Sequence, residues 1–177
     1  GVARPHKGVE TFAEALAKSG RADVEILILG PMDDYVQRMM RHPEYGKFIL
    51  CPAIDADATR RIHRDMPLYL GLGDALIVPL ADTVMARSQM PCKVFEAMAM
   101  GKPIVASAVS DLPEVLEGCG HLVAPDRPEA VAQALDAIFS DPAQAGSMGD
   151  RARARCIHKY GVETSRKALL SLLDELK

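Results

Sequence analysis

Apolar and polar positions alternate along the chain with two different periods. Val9, Phe12, Ala13, Leu16 and Ala17 recur every three or four residues, which predicts an amphipathic helix over 8–19. Val24–Leu29 is a short apolar run closed by Gly30-Pro31 and predicts a strand. The pattern continues with a helix over 33–41 and a strand over Lys47–Cys51, then a weak helix or two short turns over 58–72. Ala75–Val78 predicts a buried strand ended by Pro79, and a polar loop runs from Ala81 to Pro91. A short helix starts near Lys93 and stops at Gly101, and Pro103 opens a strand over Ile104–Ala106. Asp111–Leu116 is a short helix with Pro113 in its first turn, a tolerated position. Gly120–Val123 is the last strand. Pro128–Phe139 carries Val131, Leu135 and Ile138 on one helical face, and two further helices fill 142–159 and 162–176.

Short apolar strands separated by helices predict a parallel sheet covered on both faces, a doubly wound three-layer α/β/α fold. Such folds bind ligands beyond the carboxyl ends of their strands. The candidate loops are therefore 1–8, 30–33, 52–57, 79–92 and 107–112. Only Gly1–Lys7 precede the first helix, so the strand that feeds it is expected upstream of Gly1. The chain reads as one domain, 1–177, of a larger protein.

Composition narrows the ligand. Net charge is −3, which gives no global basic field for nucleic acid, and Trp is absent, which weakens base stacking. Cys51, Cys92, Cys119 and Cys156 form no CxxC pair, which argues against a zinc or disulfide framework and for a reduced, cytoplasmic setting. No apolar run approaches the roughly 18 residues of a membrane span. The five histidines show no paired metal-ligand spacing. Asp55-Ala56-Asp57 has the DxD form that some sugar transferases use for a metal, but two carboxylates at that spacing are common in polar loops, and no metal site is assigned there.

Three segments carry candidate chemistry. Arg4 and Lys7 lie just before a helix, where free N–H groups and the dipole favour anions; they form either a diphosphate clamp or a solvated basic turn. In Lys93–Ser107, Glu96 near the helix start is either solvent-facing or a two-point acceptor for adjacent ribose hydroxyls. Lys93 is either a phosphate contact or a surface cation. In Ser107–Glu114, Ser110 or Asp111 is expected to cap the next helix.

In order, the chain reads Arg4-Pro-His-Lys-Gly8, Gly30-Pro31, Asp74-Ala-Leu-Ile-Val-Pro79, Lys93-Val-Phe-Glu-Ala-Met-Ala-Met-Gly-Lys-Pro-Ile-Val105, Leu112-Pro-Glu114 and Gly120-His-Leu-Val-Ala-Pro125. This resembles the C-terminal, donor-binding domain of GT-B glycosyltransferases of the retaining family 4 (group 1), over about residues 1 to 140. The resemblance implies a Rossmann-like fold that holds a nucleoside-diphosphate sugar, with no separate cofactor and no metal. It implies that Lys7 and, by substitution, Arg4 stabilise the leaving diphosphate. Glu96 would hold the ribose, the N–H groups of Cys92, Lys93 and Val94 would face the phosphates, and Ala53 and Ile54 would lie against the base.

The family arginine position carries Val2 here, and the first of the family's two motif glutamates is Ser88. A saccharide or lipid-linked acceptor would bind a separate N-terminal domain, so this chain alone is expected to bind donor weakly and transfer nothing. The resemblance further implies a cytoplasmic enzyme of cell-envelope polysaccharide synthesis, peripheral to the membrane in its full-length form. Two alternatives stay open: a non-catalytic nucleotide-sugar binding domain, and a GT-B-like nucleotide-sugar epimerase.

Overall fold

The structure is a computed structural model and describes residues 4–30, 33–41, 48–52 and 56–175. Its strands are β1 (Ile26–Gly30), β2 (Phe48–Pro52), β3 (Leu76–Val78), β4 (Ile104–Ser107) and β5 (His121–Val123). Every pairing among them is parallel. They form two ladders, β1–β2 and β3–β4–β5, and no pairing joins β1 to β3 among the described residues. That break falls where the doubly wound order 3-2-1-4-5-6 places its first strand.

The helices are α1 (Val9–Ser19), α2 (Asp34–Met40), α3 (Ala56–Arg64), α4 (Met66–Leu72), α5 (Val84–Arg87), α6 (Cys92–Ala99), α7 (Leu112–Val115), α8 (Pro128–Ser140), α9 (Pro142–Tyr160) and α10 (Val162–Glu175). Strand alternation sorts them into layers. Ile104 and Ala106 of β4 pack with Val94, Ala97 and Met98 of α6 and with Ala152 and Cys156 of α9. Val105, on the opposite face, packs with Ala15 of α1 and with Val131 and Leu135 of α8. All four residues of β4 are buried, so this strand is the centre of the core. Phe12 of α1 touches both this cluster and the one containing Val24 and Ile26, and so bridges the two ladders. Leu29, on the other face of β1, packs against Ile62 of α3.

The predicted elements stand with small shifts and three differences. Residues 58–72 are neither one helix nor two turns but α3 and α4, broken at Asp65 with Pro67 in the first turn of α4. The polar loop 81–91 contains α5, whose N-cap Thr83 accepts the Ala86 N–H at 3.1 Å. The expected side-chain cap of α7 is missing. Ser110 has φ +56°, and the N-cap Asp111 has φ −86° and ψ 4° instead of the extended backbone that turns a capping oxygen toward the helix.

Candidate functional site

Residues Pro5–Lys7 form a 3-10 turn that ends on Gly8, the N-cap of α1. Gly8 has φ +62°, and a Cβ there would lie 1.6 Å from the Pro79 carbonyl oxygen. The turn thus lies directly on the chain leaving β3, and Ala81 N–H donates to the His6 carbonyl at 3.0 Å. Arg4 donates from Nη1 to Asp33 Oδ2, across to the loop after β1. The Asp33 carboxylate also accepts the Val36 N–H at 3.1 Å and caps α2. That backbone hydrogen bond first, and the Arg4 guanidinium second, lower the Asp33 pKa below the ordinary carboxylate value.

Helix α6 enters the same neighbourhood. Its N-cap is Pro91, which offers no side-chain acceptor, so the first turn is uncapped. Val94 N–H donates to Pro91 O at 3.0 Å. The N–H groups of Cys92 and Lys93 reach no acceptor among the described residues. The far end of α6 is closed by a Schellman motif: Gly101 (φ +66°) donates to Met98 O at 3.0 Å and Lys102 N–H to Ala97 O at 3.0 Å. Arg153 of α9 donates to Ala99 O at 2.8 Å. The helix is therefore fixed at its carboxyl end and open at its amino end.

Lys93 reaches solvent, yet protein atoms crowd it. Desolvation, and then the charge of Lys7, pull its ammonium down from 10.5 to about 8, with Glu96 opposing. Water at the exposed part of the side chain screens these charges. Glu96 is exposed on the second turn of α6, while Val94 and Ala97 are buried. Cys92 is an exposed free thiol, and Cys119 and Cys156 are buried free thiols.

Ser88 caps the carboxyl end of α5, and its hydroxyl donates to Val84 O at 3.0 Å and Met85 O at 3.2 Å. Ala53 and Ile54, the expected base contacts, lie outside the described residues, as does Asp55. Asp57 pairs with Arg60 on α3. No group of three or more metal-ligating side chains occurs among the described residues.

Two acids escaped the sequence reading. Asp33 was passed over because its pairing with Arg4 joins residues far apart in the chain; its position just before a helical run after Gly30-Pro31 was the available signal. Asp126, in the loop after β5, has φ +55° and accepts the Asp82 N–H at 3.1 Å. Asp82 in turn pairs bidentately with Arg87 at 2.6 and 2.9 Å. The Pro125-Asp126-Arg127 turn signal marked that loop. A cavity of about 250 Å³ lined by His121, Gln144 and Arg151 lies at the opposite end of β5, away from the strand-end loops.

Parallel strands between helical layers define a three-layer α/β domain, a fold whose ligands bind beyond the carboxyl ends of the strands. The chain belongs to the glycosyl transferases group 1, whose family model matches residues 1–141, and its fold is that of the GT-B type. It is 33% identical over 90 residues to WcaL of Escherichia coli (strain K12), which carries the name of a colanic acid biosynthesis glycosyltransferase; the match spans 49% of this chain and 22% of that protein. Sucrose-phosphate synthase from Thermosynechococcus elongatus has a similar structure, with TM-score 0.80 and 25% identity over 98% of this chain and 43% of that one. HepE of Anabaena, solved with UDP and glucose, has TM-score 0.78 and 22% identity over 97% of this chain and 45% of that one. The chain thus spans less than half the length of each of these relatives. No helix among the described residues is long and apolar enough to cross a membrane.

Proposed function

We propose that this chain is the donor-binding half of a retaining, family 4 glycosyltransferase. It holds a nucleoside-diphosphate sugar over the carboxyl ends of β3 and β4, for transfer to a saccharide or lipid-linked acceptor bound by a separate domain. The observation that carries this is the uncapped N-terminus of α6, one turn before Glu96, where Lys93 feels the charge of Lys7. Family membership and the UDP found in HepE support it.

In this scheme the ribose hydroxyls donate to the Glu96 carboxylate. The Cys92 and Lys93 N–H groups and the Lys7 ammonium face the diphosphate. As the glycosidic bond to phosphate breaks, negative charge grows on the leaving diphosphate, and these fixed donors stabilise it more than they stabilise the intact donor. Ala53 and Ile54 are assigned to the base. The setting proposed is a cytoplasmic enzyme of cell-envelope polysaccharide synthesis.

Calorimetric titration of the chain with UDP, GDP and ADP tests the site. At least one should bind, and Lys7→Ala and Glu96→Ala should each weaken binding about tenfold, the worth of a charge-assisted hydrogen bond. No binding of any of the three would sink the assignment. The Ser88 hydroxyl, turned onto the carbonyls of α5 where the family pattern has an acid, favours a second reading, a nucleotide-sugar binding domain without catalysis. Glycosyl transfer by the full-length protein would exclude it.

A further inference from the structure

We propose that the cavity at the amino end of β5 is an accessory binding site for a small organic carboxylate, held by Arg151. This is independent of the donor-site reading, since the cavity lies at the other end of the strand from the loops assigned to the donor. Its volume is about 250 Å³. That is just under the range of drug-sized ligand pockets, about 300–1,000 Å³, so an occupant has few heavy atoms. The walls come from four elements: the turn over 118–120, His121 of β5, the second half of α8 and the first half of α9. Ile138 and Met148 are buried and make an apolar floor. Arg151 and Gln144 are exposed and His121 is half-buried, so the polar groups stand at the rim.

The arginines of α9 show why Arg151 is the group to bind. Arg155 donates to the Val115 and Glu114 carbonyls and pairs with Glu117 at 3.6 Å, and Arg153 donates to Ala99 O. Those two close the carboxyl ends of α7 and α6. Arg151 donates from Nε to Gly118 O at 2.9 Å and from Nη1 to Ser147 Oγ at 3.0 Å. Both acceptors are neutral, and among the described residues no acid pairs with Arg151 and its Nη2 has no acceptor. The two bonds fix the guanidinium plane at the cavity, so the freedom of a long side chain is lost on folding and not on binding. A carboxylate matches the planar donors that remain. Arg151 is also the one permanent charge on the lining, which suits a single negative charge, and the floor offers a short alkyl body apolar contact and further oxygens nothing.

The test is titration of the chain with isovalerate, isovaleramide and inorganic phosphate, followed in amide NMR spectra at low salt. Isovalerate should bind with a Kd on the order of 1 mM and move the amides of Gly118, Gly120 and His121. Isovaleramide, which has the same body without the charge, and phosphate, which has charge without the body, should each bind about tenfold more weakly. Arg151→Gln should weaken isovalerate about tenfold, and Arg151→Lys, which keeps the charge and loses the planar fork, should recover only part of that. Saturating UDP should leave isovalerate binding unchanged. No movement of those amides, unchanged binding by Arg151→Gln, displacement by UDP, or phosphate binding as tightly as isovalerate each overturns the proposal; none of these bears on whether the chain binds a nucleoside diphosphate. Should Arg151→Gln fail to fold, Ala137→Leu fills the cavity from α8 and leaves the guanidinium in place. It should abolish isovalerate binding, and binding at unchanged affinity overturns the proposal.

Discussion

Gly8 shows how one residue places the site. Its left-handed backbone and its contact with the Pro79 carbonyl leave no room for a side chain. Gly8→Ala should cost about 2–4 kcal/mol in urea unfolding and should weaken UDP binding, because Lys7 is the next residue. Lys93 makes a pH prediction. Its folded value is about 8 against the ordinary 10.5, with Lys7 facing it from the 3-10 turn and Glu96 from its own helix. Below about 8 it is charged in folded and unfolded chains alike, and the folded chain bears the penalty; as pH rises toward 10.5 the folded chain sheds that proton first and the penalty is relieved. In the proposed donor site, a phosphate at the N-terminus of α6 would favour the charged form of Lys93, so UDP affinity should fall as pH rises through about 8, with proton uptake visible as buffer-dependent heat. Lys93→Met should remove that step. At this scale, the placing of Lys7 just before α1 and of Lys93 and Glu96 in the first turns of α6 was legible in the chain. The commitment of Arg4 to Asp33 was not, because a contact across 29 positions leaves no trace in local spacing.

Among the elements, α6 and α9 are held in close approach. A Cβ on Gly149 would lie 1.9 Å from the Gly101 carbonyl oxygen, so α9 crosses close over the turn that ends α6. Gly149→Ala should lower stability by about 2–3 kcal/mol, read as a fall in the thermal midpoint. The longer elements were legible because their apolar spacing repeats: α1 and α8 show a full helical face, and β4 a run of buried residues. α5 was not, since four residues cannot show a period, and only Thr83 marks its start. The cap of α7 misled for a related reason. Ser and Asp before Leu-Pro-Glu suit a cap in composition, but Ser110 is left-handed and Asp111 is not extended, and no side chain caps the helix.

For the whole molecule, α10 is the element the fold needs least. None of its residues is buried, and Val162, Leu169, Leu170, Leu172 and Leu173 are exposed. Ending the chain at Gly161 should therefore change unfolding stability by less than about 1 kcal/mol; a larger loss in chemical denaturation would show that α10 carries packing energy. The layered α/β plan was legible from alternating strand and helix signals, but the division of the sheet was not, since pairing between strands is a long-range property.

That division has a consequence for how the molecule breathes. Opening β1–β2 breaks no backbone hydrogen bond of the β3–β4–β5 ladder, and the two share cover through Phe12 of α1 and Phe139 of α8. The chain should behave as two unequal cooperative units in native-state hydrogen exchange. Amides of Val105 and Ala106 should exchange only with global unfolding, while those of Leu27 and Ile28 exchange through a smaller opening with weaker denaturant dependence. Equal protection across both ladders would mean that α1 and α8 weld them into a single unit.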